Sequence, residues 1–364
     1  MPGMEENKMH YQGKDSALNP PELLYRPENP AYLTKNVPWM SAPAVARTKN
    51  GRLFLTFNTG PDDPISNMLT LSYSDDDGLS WQECVYAVIA PKGVRIHEPL
   101  VWADPEGQLY VSWVQDYEVW DGRAGVWFSR LCDEDSEHPV MEEPRRVCNG
   151  SMANDPWFEK DGTWMLPVCR WSWESPYYND PPMRYSGVYR SIDKGLTADL
   201  IGYADVPGRT YDEHSIVRLS DGRLRMLVRT DYGWGQSDSF DNGRTWTKGV
   251  PFRYGPSAKS LLRTLPDGRL LWIGYDTDRP VRERIAAFLS EDDGETWKYT
   301  LLLDPRENVS YPNAHITPDG TVYVSHDFER TGAKQSVLHR FTVHDIEAGR
   351  LTERDSFLGR VAFR

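Results

Sequence analysis

The sequence predicts an all-β fold, a six-bladed β-propeller, and three observations carry that prediction. One turn phrase recurs six times along the chain, a second phrase recurs four times, and no amphipathic run of helical length competes with them. Recurrence at a fixed wide period is the signature of a repeat architecture, in which each unit buries its apolar face against its neighbours.

The first phrase is an acidic or polar residue, then Gly, then an alternating apolar run. Its copies are "KNGRLFLTF", "PEGQLYVSW", "KDGTWMLPV", "SDGRLRMLV", "PDGRLLWIG" and "PDGTVYVSH". Their glycines, Gly51, Gly107, Gly162, Gly222, Gly268 and Gly320, are spaced by 56, 55, 60, 46 and 52 residues. Asp-Gly or its like between two β-rich runs is a hairpin signal, because Gly accepts the positive φ of a tight turn.

The second phrase is "SFDNGRTW" from Ser239, with copies "SDDDGLSW" from Ser74, "SEDDGETW" from Ser290 and "SIDKGLTA" from Ser191, the last with Ala198 in the Trp place. Asp can accept hydrogen bonds from turn amides, the hydroxyls can do the same, and the Trp can pack between sheets. The box therefore reads as a staple of the fold, expected in the hairpin after the glycine hairpin of the same unit. Aligned as calcium loops, Gly78 and Gly294 would place Cys84 and Thr300 where a bidentate Glu is required, so no calcium loop is present. About four strands per unit and six units make propeller blades. The propeller is expected over 37–345. Residues 1–36 form an extension whose "PELLYRP" segment adds a strand that helps to close the ring, and 346–364 form a tail packed on the last blade.

The 364 residues carry a net charge of −13 and 12% aromatic side chains. Such an acidic chain lacks the basic footprint that nucleic acid or an anionic membrane requires. Cys84, Cys132, Cys148 and Cys169 show no metal-ligand spacing and read as free thiols of a reducing compartment. The first residues contain no apolar run, so a cytoplasmic location is expected. Two glycosylation sequons, at Asn149 and Asn308, are then idle. No cofactor and no metal site is implied.

A propeller ligand sits where the innermost strands begin. Nine residues before the hairpin glycine stand Ala42, Glu98, Glu213, Lys259 and Tyr311, and in the unit with the shorter loop Asp155 takes that place. Beside them lie His97, Asn154, Asp212, His214, Asn313 and His315. So many acids, bases and a phenol at one height form a candidate site.

With its boxes and six repeats, the chain resembles the sialidase (neuraminidase) superfamily, in its bacterial BNR-repeat branch. The resemblance implies a tyrosine nucleophile paired with a glutamate, an exception among glycosidases. "EHSIVRLSDGRLRMLVR" offers Glu213 and Arg229, and "VSYPN" offers Tyr311. "RERIAAFLS" offers Arg282, with Arg284 as its neighbour, and the acid/base falls on Asp63 of "GPDDPISN", beside Asp62. One arginine of the family's clamp on the substrate carboxylate is missing, because Ser41 stands two residues before Pro43.

The expectation is an exo-glycoside hydrolase that removes a terminal acidic sugar from an oligosaccharide or glycoconjugate. Tyr311, Glu213 and Asp63 do the chemistry. Arg229, Arg282, Glu98, His97, Asp155, His214, Lys259 and Asn313 line the substrate. Trp39, Trp157 and Trp234 are stacking candidates. Two alternatives stay open at this point: a lyase or hydrolase acting on a uronate- or rhamnose-containing glycan with His97, His214, His315 and Tyr311, and a carbohydrate-binding propeller without catalysis.

Overall fold

A computed structural model of the chain describes residues 10–60, 67–117, 123–171 and 184–364. Among these residues the strands form six antiparallel sheets arranged as the blades of a propeller. A first strand, β1 (Glu22–Tyr25), precedes blade 1, which follows as β2 (Met40–Arg47), β3 (Leu53–Thr59), β4 (Met68–Ser74) and β5 (Gln82–Ile89). Blade 2 is β6 (Arg95–Ala103), β7 (Leu109–Asp116), β8 (Gly125–Cys132), the short β9 (Val140–Met141) and β10 (Arg145–Asn149). In blade 3 the inner strand is split into β11 (Ser151–Met152) and β12 (Trp157–Phe158), followed by β13 (Trp164–Arg170), β14 (Tyr185–Ser191) and β15 (Asp199–Ala204).

Blade 4 is β16 (Ser215–Arg218), β17 (Leu224–Thr230), β18 (Gly233–Ser239) and β19 (Val250–Tyr254), and blade 5 is β20 (Leu261–Thr264), β21 (Leu270–Tyr275), β22 (Glu283–Ser290) and β23 (Tyr299–Glu307). Blade 6 is β24 (Val309–Ile316), β25 (Val322–Phe328) and β26 (Gln335–Phe341), then a helix α1 (Val343–Ala348), then β27 (Phe357–Phe363). The second strands, such as β3 and β17, are buried at every residue, whereas the outer β19 is half-exposed throughout. Neighbouring blades cover both faces of these second strands, so the polar members of the alternation, such as Arg225 and Arg229 of β17, are buried as well.

Two terminal expectations are corrected. The "PELLYRP" strand, β1, pairs with β5 at the outer edge of blade 1 and does not close the ring. The expected tail is a strand of the propeller itself, since β27 is the outermost strand of blade 6. Blade 6 is thus built from consecutive strands alone, and the ring closes by packing of β24 and β25 against β2. At that seam Phe363 lies 5.6 Å from Phe57 and 5.3 Å from Trp81, ring centre to ring centre.

The glycine hairpins join the first and second strands, and the boxes join the third and fourth, in the next hairpin of the same unit as the sequence suggested. All four boxes share one hydrogen-bond pattern. In the third, Ser239 Oγ donates to Asp241 at 2.9 Å and accepts from the Gly243 amide at 2.9 Å, while Asp241 accepts from the amide and hydroxyl of Thr245 at 2.8 and 2.6 Å. The Trp-less copy repeats this through Ser191, Asp193, Gly195 and Thr197. Gly243 has φ +85°, so the residue type follows from the turn. The box tryptophans pack between sheets: Trp81 meets Phe363 of blade 6, and Trp297 meets Phe252 of blade 4. Ser239→Ala leaves the buried Gly243 amide unpartnered, which costs about 1–3 kcal/mol. Urea denaturation should show that loss with no change in turnover.

Candidate active site

The first strands present their site residues through a shared backbone irregularity. Register shifts interrupt β2, β6 and β24 between Ser41 and Ala44, His97 and Leu100, and Ser310 and Asn313. The residues within each shift are Ala42-Pro43, Glu98-Pro99 and Tyr311-Pro312. Proline has no amide to donate to a ladder, so pairing lapses there and the chain bulges. Ala42, Glu98 and Tyr311 adopt φ of 52°, 50° and 54°. Blade 4 reaches the same result by another route, with Tyr211, Asp212 and Glu213 at 56°, 58° and 35° just before β16. Such φ values are uncommon outside glycine and gather where a fold aims a functional side chain.

The bulges bring Tyr311 and Glu213 together from opposite stretches of the chain. Tyr311 Oη donates to Glu213 Oε1 at 2.6 Å, and Arg229 donates to Oε2 at 2.8 Å. Glu213 is itself anchored through its carbonyl, which with those of His214 and Ser260 accepts from the buried Asn154 amide at 3.0, 3.1 and 3.3 Å. Burial pushes the Tyr311 phenol well above its ordinary value, helped by the charges of Glu213 and Glu98. Burial also works against the Glu213 charge, yet Arg229 and the Tyr311 hydrogen bond hold its carboxyl below the usual range. A neutral phenol thus faces an ionised base.

Arginines surround this pair. Arg229 lies over the Tyr211 ring at 4.6 Å and donates to Ser257 Oγ at 3.2 Å. Arg282 stands 5.7 Å from the centre of the Tyr311 ring and donates to the Ser257 carbonyl at 3.2 Å. Arg284, its sequence neighbour, is paired with Asp276 at 2.6 Å. A third guanidinium, Arg330, lies 4.4 Å from the same phenol ring. Sequence reasoning missed it: it sits in the loop after β25, outside the aligned strand starts. Ser41 donates to the buried Asp327 carboxylate at 3.1 Å.

Glu98 and Lys259 share the electrostatic neighbourhood of Glu213 and are both buried. Burial first, and repulsion from Glu213 second, raise the Glu98 carboxyl to about 7 against the pull of Lys259. Burial lowers Lys259, which Glu98 and Asp155 counteract. The other expected lining residues have partners of their own. Asp155 is held by Asn313 at 3.2 Å and Arg263 at 3.2 Å, and Asn313 also accepts from the Val45 amide at 3.4 Å. His97 stacks on Trp171 at 5.4 Å. His214 is fully buried, with Nε2 on the Gly187 carbonyl at 2.7 Å, and burial lowers it to about 4. His315, four residues further along β24, is likewise lowered by burial to about 4. Trp234 is a core residue packed on Trp272 and Tyr275. Trp157 lies partly buried beneath Arg218 at 5.1 Å. Trp39 is half-buried just before β2. Asp62 and Asp63 lie outside the described residues. Among the described residues no cluster of His, Cys, Asp and Glu could hold a metal.

The raised Glu98 carboxyl has a consequence for stability. Its proton is bound more tightly in the folded chain than in the unfolded one, so the stabilisation is complete below the ordinary carboxylate range and is lost as pH rises through about 7. Glu98→Gln should remove that dependence. Urea titrations at pH 5 and pH 8 would then differ less in the variant, by up to about 3 kcal/mol.

A family model of BNR repeat-like domains matches residues 87–324. The chain belongs to the BNR repeat-like family. Comparison with curated protein sequences gives no significant match. Among solved structures this BNR-repeat propeller is similar to a Hadza microbial sialidase, with 20% identity and a TM-score of 0.66 over 85% of this chain and 66% of that one. The chain therefore spans just under two thirds of that sialidase. It is also similar to the leech intramolecular trans-sialidase complexed with 2,7-anhydro-Neu5Ac, with 12% identity and a TM-score of 0.63 over 89% and 71% of the two chains. A third likeness is to the Penicillium chrysogenum alpha-L-arabinanase complexed with arabinobiose, with 12% identity and a TM-score of 0.59 over 90% and 99%. At these identities the likenesses establish the fold, a sialidase-like propeller.

Proposed function

We propose that this BNR-repeat protein is an exo-acting glycoside hydrolase that releases a terminal acidic sugar, with Tyr311 as nucleophile and Glu213 as its base. The observation that carries the reading is the 2.6 Å hydrogen bond from the Tyr311 phenol to an ionised, arginine-backed Glu213. A phenol near its ordinary pKa of about 10 attacks poorly without such a partner. In the first step Tyr311 Oη bonds to the anomeric carbon, its proton passes to Glu213, and the glycosidic bond breaks. The leaving oxygen takes a proton from a carboxylic acid. Asp63 holds that role by resemblance; among the described residues, Glu98, raised to about 7, can keep a proton near neutrality. In the second step water attacks the carbon and passes a proton to the carboxylate that served as acid, while the Tyr311 oxygen leaves the carbon and takes its proton back from Glu213.

A neutral nucleophile suits an anomeric carbon that bears or neighbours a negative charge, because an attacking carboxylate would be repelled. Among the proteins of similar structure are a sialidase and a trans-sialidase by name, which supports the same substrate class. The lyase alternative is less well served. His214 is engaged with a backbone carbonyl, and His97 is held under Trp171.

The test is a panel of aryl sialosides, aryl uronides and neutral aryl arabinosides incubated with purified protein, with aryl release and ultraviolet absorbance recorded together. Aryl release from the acidic glycosides, at least about tenfold faster than from the arabinosides, is expected. An unsaturated, ultraviolet-absorbing product would replace hydrolysis by elimination, and no turnover of any acidic glycoside would remove the reading.

A further inference from the structure

We propose that residues 10–19, docked on blade 2, complete a second carbohydrate subsite, which takes a neutral sugar on the leaving side of the scissile bond. This subsite deepens the reading of the protein as a glycoside hydrolase and rests on it.

A cavity of about 700 Å³ lies between this segment and the turn that links blade 1 to blade 2, with Tyr11, Gln12, Lys92, Gly93 and Tyr117 among its walls. Strand pairing puts it at the site end of the propeller. Met40, Thr59, Met68 and Ile89 form one row across blade 1, and Arg95 pairs with Asp116 in blade 2. Residues 91–93 come just after that row, and Tyr117 follows Asp116. Glu98 lies three residues into β6, about 10 Å from the start of the strand. Asp63, the acid by resemblance, belongs to the connection that leaves β3 at Thr59 and returns at Met68, in the same row. A leaving group that takes its proton there departs over blades 1 and 2, where the cavity is.

The walls are fixed before a ligand arrives. Gln115, near the end of β7, is fully buried, and its amide donates to the carbonyls of Ala17 and Asn19 at 3.3 and 2.9 Å. Asn19, also buried, accepts from the Tyr11 amide at 3.0 Å and donates to the Tyr11 carbonyl at 2.8 Å. Arg123 pairs with Asp15 at 3.5 Å. Gly93 has φ +82°, and a Cβ there would stand 3.0 Å from the Tyr117 ring, so glycine lets that ring lie against the backbone. A site preformed in this way binds with a small ordering cost.

The lining chemistry fits a sugar. Tyr11 is exposed and Tyr117 half-buried, and each ring offers an apolar face with a polar edge, a surface on which the C–H face of a pyranose can rest. Their hydroxyls, the Gln12 amide and the Lys92 ammonium make no hydrogen bond among the described residues, which leaves donors and acceptors for sugar hydroxyls. The volume falls within the roughly 300–1,000 Å³ usual for small-molecule sites. Among the described residues no guanidinium lines the cavity, and Lys92 is its one permanent cation. An uncharged sugar therefore suits it better than a second acidic one.

The experiment separates binding from turnover. Lactose, N-acetyllactosamine and cellobiose are titrated by NMR into the full-length protein and into Tyr117→Ala and Tyr11→Ala. The wild type should bind at least one disaccharide saturably, with affinity at least fivefold lower in Tyr117→Ala and threefold lower in Tyr11→Ala. Thermal melting reports whether each variant folds, and the exposed Tyr11→Ala carries the test if Tyr117→Ala does not fold. A second arm compares one acidic sugar joined to an aryl group with the same sugar joined to the disaccharide that binds. The ratio of kcat/KM for the disaccharide conjugate to that for the aryl glycoside should fall at least threefold in each folded variant, through KM. A wild type that binds none of the three disaccharides, or undiminished binding in every folded variant, overturns the subsite. An unchanged kcat/KM ratio in the folded variants overturns its place on the leaving side. If disaccharide binding weakens in the variants while no acidic glycoside is hydrolysed, the sugar site stands and the proposed reaction falls.

Discussion

Tyr311→Phe is expected to abolish turnover, with kcat lower by roughly 10⁴-fold or more, the scale on which a covalent nucleophile is missed. The ring itself remains, so the contacts of Arg282 and Arg330 with its face persist. Only the hydrogen bond to Glu213 goes, and the melting curve should shift by no more than about 1–2 kcal/mol. Loss of that donor also lets the Glu213 carboxyl drift upward, because the Tyr311 hydrogen bond is one of the influences that keep it low. Single-turnover assays on the variant give the decisive number. A kcat within tenfold of wild type would show that another group attacks the anomeric carbon.

The second large effect is on stability and concerns the seam. Phe363→Ala removes a buried ring that reaches from β27 across to Phe57 and Trp81 of blade 1. Large-to-small changes of this kind cost about 3–5 kcal/mol. Here the void opens where no shared strand bridges first and last blade, so nothing covalent limits the relaxation. The urea midpoint should fall accordingly, with the boxes of blades 3 to 5 remote from the damage. A cost below about 1 kcal/mol would mean that β2 and β24 hold the ring closed without help from the aromatic cluster.

How much of this was legible in the sequence depends on how local each signal is. The six hairpin glycines and the four boxes are written within a few residues each, and the structure uses them as turns of one repeated unit. Aligning the first strands on those glycines brought out Tyr311, Glu213 and Glu98, because the bulges sit at a fixed distance from the turn. The prolines after Glu98 and Tyr311 mark those bulges, but only strand pairing shows it. The termini were less legible. Which strand β1 would pair with is a matter of distant register, and "ELLY" matches an outer edge as well as a ring closure. Arg330 stands in "FERTGAKQS", a loop with no apolar period and no turn signature to align. Its importance emerges only when Asp327 and Tyr311 are seen beside it. The pairing of Asn313 with Asp155 at 3.2 Å links two different blades and was likewise not legible in the alignment.

The left-handed residues before the inner-strand prolines also bear on how such proteins diversify. Ala42 in blade 1 holds the same conformation, φ 52°, as Glu98 and Tyr311 at 50° and 54°, yet carries only a methyl group. The unfavourable dihedral is imposed by the ring, whichever side chain occupies it. These positions therefore behave as interchangeable sockets, and exchanging the occupant alters reactivity without renegotiating the architecture. Blade 1 is a vacant socket, the natural place at which a new acid or base could be installed on the blade next to an unchanged phenol.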